Sequence, residues 1–237
     1  IDVNFATEIV DAFQGLVSSQ VASDEVGVLG SRGPLPFQIP SKLAIADVLR
    51  GSVGFVLEEA TPNLEIVDTR VKTAISEVTN VIERMSTESE TEFESAVESL
   101  DPRLLGNLKC FFQALDINHA VVRIVDDARE LSLDTKTIAR ARERIEMTDI
   151  KEQESDDLIV ELVGILPETR RFEMRLPGSP DVIKGIVGNV RVPGHLELNK
   201  KWRVKMRIRE VREHNKKPRF VYTLVGLLEE IQELPEP

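Results

Sequence analysis

Three pairs of adjacent carboxylates, Glu58-Glu59, Asp126-Asp127 and Asp156-Asp157, are the side chains best suited by type to general acid–base chemistry. Neighbours on a strand point to opposite faces, so none of these pairs is arranged to share a proton. His119, His195 and His214 lack a second His, Cys or carboxylate at metal-ligand spacing, and His119 and His195 fall in expected turns. Cys110, the only cysteine, sits among leucines and phenylalanines with no histidine nearby. That context predicts a buried, inert thiol, and a single cysteine excludes an intrachain disulfide or a thiolate metal cluster. The loop "GVLGSRG" matches neither G-x-G-x-x-G nor G-x-x-x-x-G-K-[ST] and precedes a strand, while "LRGSVGF" has the character of a hairpin turn. No nucleophile, base and oxyanion donor come together, so the reading is non-enzymatic, with no catalytic residue, metal or cofactor expected.

The residues with the clearest pattern are cations. "KWRVKMRIREVR", Lys201 to Arg212, places Trp202, Val204, Met206 and Ile208 on one parity and Lys201, Arg203, Lys205, Arg207 and Arg209 on the other. A strand of this kind buries one face and presents a basic row on the other. Arg171 and Arg175 share one parity of an earlier strand. The expected binding residues are therefore Arg171, Arg175, Arg203, Lys205, Arg207 and Arg209. Such a row can dock on an acidic protein surface, neutralise nucleic-acid phosphates, or serve only as a solvated face that discourages edge-to-edge aggregation. Single-strand binding also uses exposed aromatic platforms. Phe172, Trp202 and Phe220 follow the apolar parity and are expected in the core, which leaves only Tyr222. An acidic protein surface or self-association is the preferred partner, and nucleic acid the alternative.

These residues need elements to hold them. Ala6, Ile9, Val10, Phe13 and Val17 predict an opening helix, and "KLAIADVL" and "VGFVLEEA" predict a β-hairpin over Leu43 to Glu59 turning at Gly51-Ser52. A long helix follows, carrying Val67, Val71, Ala74, Val78, Ile82 and Met85, then a short acidic helix around Phe93, Ala96 and Val97. Asp101-Pro102 caps the next helix, "AVVRIV" and "RELSL" form a second hairpin, and Asp134 caps "TKTIARARERI". The acidic stretch from Glu146 to Asp157, almost without apolar residues, predicts a solvated linker. Beyond it "LIVELVGIL", "RRFEMRL", "VIKGIVG", "KWRVKMRIREV" and "RFVYTLVGLL" are five strands, enough for a small barrel. The fold expected is α+β: an acidic domain over 1–147, with helices and two hairpins, a linker over 148–157, and a basic SH3-like or OB-like barrel over 158–237.

Net charge is −11, but residues 170 to 219 hold 15 Lys/Arg against 5 Asp/Glu while the remainder holds 15 against 36. A split of this size predicts an electrostatic partner, and the acidic remainder could itself clasp the basic barrel. No apolar run reaches the roughly 18 residues a membrane helix needs. "IDVNFATEIVDAF" has acids where a signal peptide has cations, so a cytoplasmic location with no membrane contact is expected, although a chain opening on Ile1 leaves room for residues upstream.

The order of an N-terminal helix, "SRGPLP", a hairpin with Gly51-Ser52, further helices, "VGILPETRRFEMRL" and "VIKGIVG" resembles a loose group of uncharacterised bacterial proteins. The resemblance implies a bacterial origin, two domains and a C-terminal five-stranded barrel. It brings no catalytic residue with it.

Overall fold

The structure, a computed structural model, describes residues 2–26, 29, 34–36, 41–49, 54–60, 69–127, 129–166, 168–188, 190, 198–214 and 216–231. The chain divides into two compact units, Ile1–Thr148 and Asp149–Pro237. The expected Gly51-Ser52 turn, Val67, His195 and most of the Gly/Pro-rich loop lie outside the described residues. No helix among the described residues is long and apolar enough to cross a membrane.

The first unit is helical, with two hairpins. Helix α1 (Val3–Val26) is followed by strands β1 (Leu43–Leu49) and β2 (Gly54–Glu59), then by helices α2 (Arg70–Ser86), α3 (Glu90–Ser99) and α4 (Pro102–Ile117). Strands β3 (Val122–Val125) and β4 (Glu130–Leu133) form the second hairpin, and α5 (Thr135–Glu146) ends the unit. Helix starts are set by side chains that accept otherwise orphaned amide protons: Thr69 from Lys72, Ser89 from Glu92, Asp101 from Arg103 and Asp134 from Thr137. Asp101, itself buried, also accepts from the Leu29 amide at 2.7 Å, tying two distant segments together.

The apolar stripes of α2, α3, α4 and α5 meet in one core, where Val78, Ile82, Phe93, Leu108, Phe111, Phe112, Leu115 and Ile138 are all essentially sealed from water. Burying side chains of this size contributes about 1.5–3 kcal/mol each. Phe111 and Phe112 meet edge to face at 5.5 Å, and the Arg144 guanidinium lies 3.8 Å over the Phe93 ring.

The second unit is a closed barrel of five strands, β5 (Thr148–Leu166), β6 (Arg171–Arg175), β7 (Val182–Val187), β8 (Lys201–Glu213) and β9 (Arg219–Ile231). Around the barrel the order is β5-β6-β7-β9-β8, with β7 and β9 parallel and β8 and β9 antiparallel. Closure is visible where the Leu162 amide donates to Lys200 O at 3.0 Å and the Asn199 amide donates to Leu162 O at 2.7 Å. Inside lie Val160, Leu162, Phe172, Met174, Val187, Trp202, Val204, Met206 and Leu224. Gly185 lets β7 approach β9, because a Cβ there would lie 2.3 Å from Tyr222 O and 2.4 Å from Phe172 Cζ.

One expected element is corrected. The acidic stretch over 148–157 is not a linker but the first half of the 19-residue strand β5. Asp149 to Pro237 therefore carries 16 Lys/Arg and 16 Asp/Glu, so the unit that holds the barrel is electrically neutral rather than basic.

Candidate binding surface

Strand β8 alternates as its sequence demands. Trp202, Val204 and Met206 fill the barrel, which turns Arg203, Lys205 and Arg207 outward. The strand on their flank is β5, and it answers the cations with carboxylates. Arg203 Nε lies 2.9 Å from Asp157 Oδ1, and Lys205 Nζ 3.3 Å from Glu154 Oε2. Arg207 donates from Nη2 to Glu154 Oε1 at 2.5 Å and reaches Glu152 Oε1 at 3.2 Å. Arg209 Nε is 3.4 Å from Glu152 Oε2. Positions rise along β8 as they fall along β5, so these are cross-strand pairs of an antiparallel ladder, the arrangement in which opposite charges stabilise a sheet.

The ladder grows drier along β8. The side chain of Arg203 is 41% exposed, that of Arg207 is 14% and that of Arg209 is 7%, beside Glu152 at 15%. The Arg207 hydrogen bond, with Lys205 adding its charge, holds the Glu154 carboxyl below the usual carboxylate range. On the next strands Arg175 pairs with Glu161 at 3.2 Å and Lys184 with Glu173 at 2.7 Å, each directly across the register.

Five of the six expected binding residues, Arg175, Arg203, Lys205, Arg207 and Arg209, thus have carboxylate partners within the barrel unit. The picture of a continuous free basic face is corrected, because the acids that neutralise the β8 row, Glu152, Glu154 and Asp157, come from the stretch read as linker. Arg171 alone among the six has no ion-pair partner among the described residues, and it is exposed. Its register neighbours on both sides, Leu166 on β5 and Ile186 on β7, share its outward face and are 59% and 46% exposed. A cation between two exposed aliphatic side chains is a small amphipathic patch. The apolar half of that patch lies on strand ends whose parity alone did not mark it as exposed.

Phe220 is a second correction. It follows the apolar parity but sits next to the β8–β9 turn, is 53% exposed, and lies near Tyr222 with ring centroids 6.5 Å apart and planes inclined by 30°. His214 and Lys217, on the same turn, are exposed. Cys110 is exposed too, not buried. Two helical positions beyond Leu108 carry it to the opposite side of α4 from the stripe.

The acid pairs have structural roles. Asp126 accepts from the Arg129 amide at 2.8 Å in the β3–β4 turn, Asp127 pairs with Lys72 at 2.7 Å, and Glu59 accepts from Thr69 Oγ1. Burial and the nearby Glu77 push the Asp24 carboxyl up to about 6, with Gln20 bridging the two. A cleft of about 610 Å³ between α2, α3, β4 and α5 is lined by Arg84, Arg140 and several acids. Arg140 is held there by Glu88 at 2.7 Å and Ser86 O at 2.9 Å. No protein-family model matches the chain, and neither a curated protein nor a solved structure does.

Proposed function

We propose that this chain is a non-enzymatic binding protein, an accessory subunit of a bacterial cytoplasm whose barrel contacts an acidic protein surface or a second copy of itself around Arg171. The observation behind the reading is Arg171, the one cation of the expected set with no carboxylate partner among the described residues, flanked by exposed Leu166 and Ile186. An apolar rim beside an exposed guanidinium favours a protein partner over a bare polyanion, since arginine and aliphatic contact together suit protein interfaces. The electrical neutrality of the unit points the same way, because phosphate binding draws on a positive field.

A fluorescent peptide of mixed glutamate and leucine tests it. The full chain should bind at low salt, and Arg171→Glu should weaken binding about tenfold while Arg203→Gln leaves it unchanged. Absence of binding, together with a sedimentation profile of a monomer at all salt concentrations, would overturn the reading. The nucleic-acid alternative draws support from Phe220, an exposed ring beside Tyr222 and the basic turn. It requires an oligonucleotide affinity that falls with salt and is lost in Phe220→Ala.

A further inference from the structure

Strand β4 has one edge bonded to β3 and the other beside the cleft of the helical unit. The Asp126 amide donates to Arg129 O at 3.0 Å, which marks that pair as a hydrogen-bonded one. Bonded and non-bonded pairs alternate along an antiparallel ladder, and the register sets Val125 against Glu130, Ile124 against Leu131, Arg123 against Ser132 and Val122 against Leu133. Leu131 and Leu133 therefore exchange main-chain hydrogen bonds with β3, while the N–H and C=O of Glu130 and Ser132 point away from it. Strands β3 and β4 form a sheet of two, Ser132 is exposed, and its main chain has no partner among the described residues.

The cleft of about 610 Å³ is lined by Leu131, Ser132 and Leu133 and, among the described residues, by none of β3. Consecutive strand residues face opposite sides of a sheet, so a groove that reaches all three runs beside the backbone rather than over one face. Its other walls are the end of α2, the start of α3 and the part of α5 that carries Thr137 and Arg140. A strand edge with unused donors and acceptors is a template for another strand, and four residues span about 13 Å, enough for a short extended segment. A second copy cannot supply its own β4, because that edge too lies inside a cleft walled by helices. Charge narrows the choice further. Glu88 pairs with Arg140 at 2.7 Å, Glu83 with Arg129 at 3.5 Å, and Glu92 accepts from the Thr87 hydroxyl at 2.8 Å. Arg84 donates to the Ser95 hydroxyl at 3.3 Å and has no carboxylate partner among the described residues. Three acids against two arginines disfavour a polyanion, whereas one acidic side chain in an otherwise neutral strand matches the guanidinium that is left.

We infer that the free edge of β4 takes up an extended segment of a partner protein as a third strand, with one acidic side chain of that segment set against Arg84. This site is separate from the barrel patch and does not depend on it. The test uses the full chain and a capped peptide of about five residues, threonine and valine around a central glutamate. Its controls are the same sequence with the main-chain amides N-methylated and a counterpart with central glutamine. The glutamate peptide should slow amide exchange at Ser132 about tenfold, and the N-methylated one should bind at least about tenfold more weakly. Ser132→Pro deletes the free-edge donor but no bond to β3, and it should abolish binding, whereas Ser132→Ala, which keeps the main chain, should retain it. Should Ser132→Pro lose its circular dichroism, the N-methylated comparison decides. Arg84→Gln should bring the glutamate peptide to the affinity of the glutamine one, about tenfold lower, and Arg171→Glu should change nothing. Failure of the glutamate peptide to bind, equal binding by the N-methylated peptide, binding that survives in folded Ser132→Pro, indifference to Arg84→Gln, or a Ser132 amide already protected in the free chain would each overturn the inference.

Discussion

Replacing Glu152 with glutamine removes a carboxylate that two guanidinium groups share, and the damage should be confined to the barrel. Glu152 faces Arg207 at 3.2 Å and Arg209 at 3.4 Å, and all three side chains are at most 15% exposed. Arg207 keeps Glu154 as a second partner, while the Arg209 side chain, 7% exposed, would lose its cross-strand carboxylate. Removing one member of a pair this dry costs about 3–5 kcal/mol, because the remaining charge stays desolvated. The lower end applies here, since Arg207 retains a neighbour. Asp157→Asn touches a pair whose members are 41% and 68% exposed, where about 0–1 kcal/mol is the ordinary range. Trp202, the only tryptophan and a core residue of the barrel, reports that unit's unfolding separately from the helices. Urea titration followed by its fluorescence should place Glu152→Gln about 3 kcal/mol below the parent, equivalent to a melting point lower by about 15 °C. Equal and small losses for Glu152→Gln and Asp157→Asn would refute the idea that dryness grades the ladder.

Two further expectations concern pH and packing. The carboxyl of Glu154 is held below its ordinary 4.5, so its contribution is present above that value and is lost as pH falls through the lowered one. Asp24 behaves oppositely: raised from 3.8 to about 6, it favours the fold below 3.8 and loses that contribution as pH climbs through about 6. Tryptophan fluorescence for the barrel and circular dichroism for the helices should therefore give pH profiles that Glu154→Gln and Asp24→Asn each flatten, on the acidic side and between 3.8 and 6 respectively. Gly185→Ala should destabilise the barrel by about 3 kcal/mol or more, since the Cβ meets backbone and a core ring that cannot both yield. Gly106→Ala, on an open face of α4, should stabilise the helical unit by about 1 kcal/mol. Thermal melts of both variants check the pair.

Much of this molecule is legible from local pattern. The caps at Asp101 and Asp134, the stripes of α2 and α4 and the alternation of β8 are all decided by residues within a few positions of one another. Strand β5 is not of that kind. "KEQESDD" has neither an apolar face nor strand propensity, and what holds it extended is a set of cations about 50 positions downstream. Each row alone reads as solvated charge; only pairing them across the barrel turns both into structure. The exposure of Phe220 and of Arg171 with its neighbours also escapes parity, because a residue at a strand end can keep its phase and still lie beyond the cover of the barrel. Cys110, by contrast, was readable, since its angle on α4 already excludes it from the stripe.

The central claim is that β5 neutralises the cations of β8, and a double-mutant cycle joining Glu152→Gln and Arg209→Gln measures it most directly. If the two groups stabilise each other across the barrel, the double variant should lose less than the two single losses together, with a coupling of about 2 kcal/mol. Losses that simply add would mean the carboxylate and the guanidinium do not interact, and would contradict the account of β5 as the strand that neutralises β8.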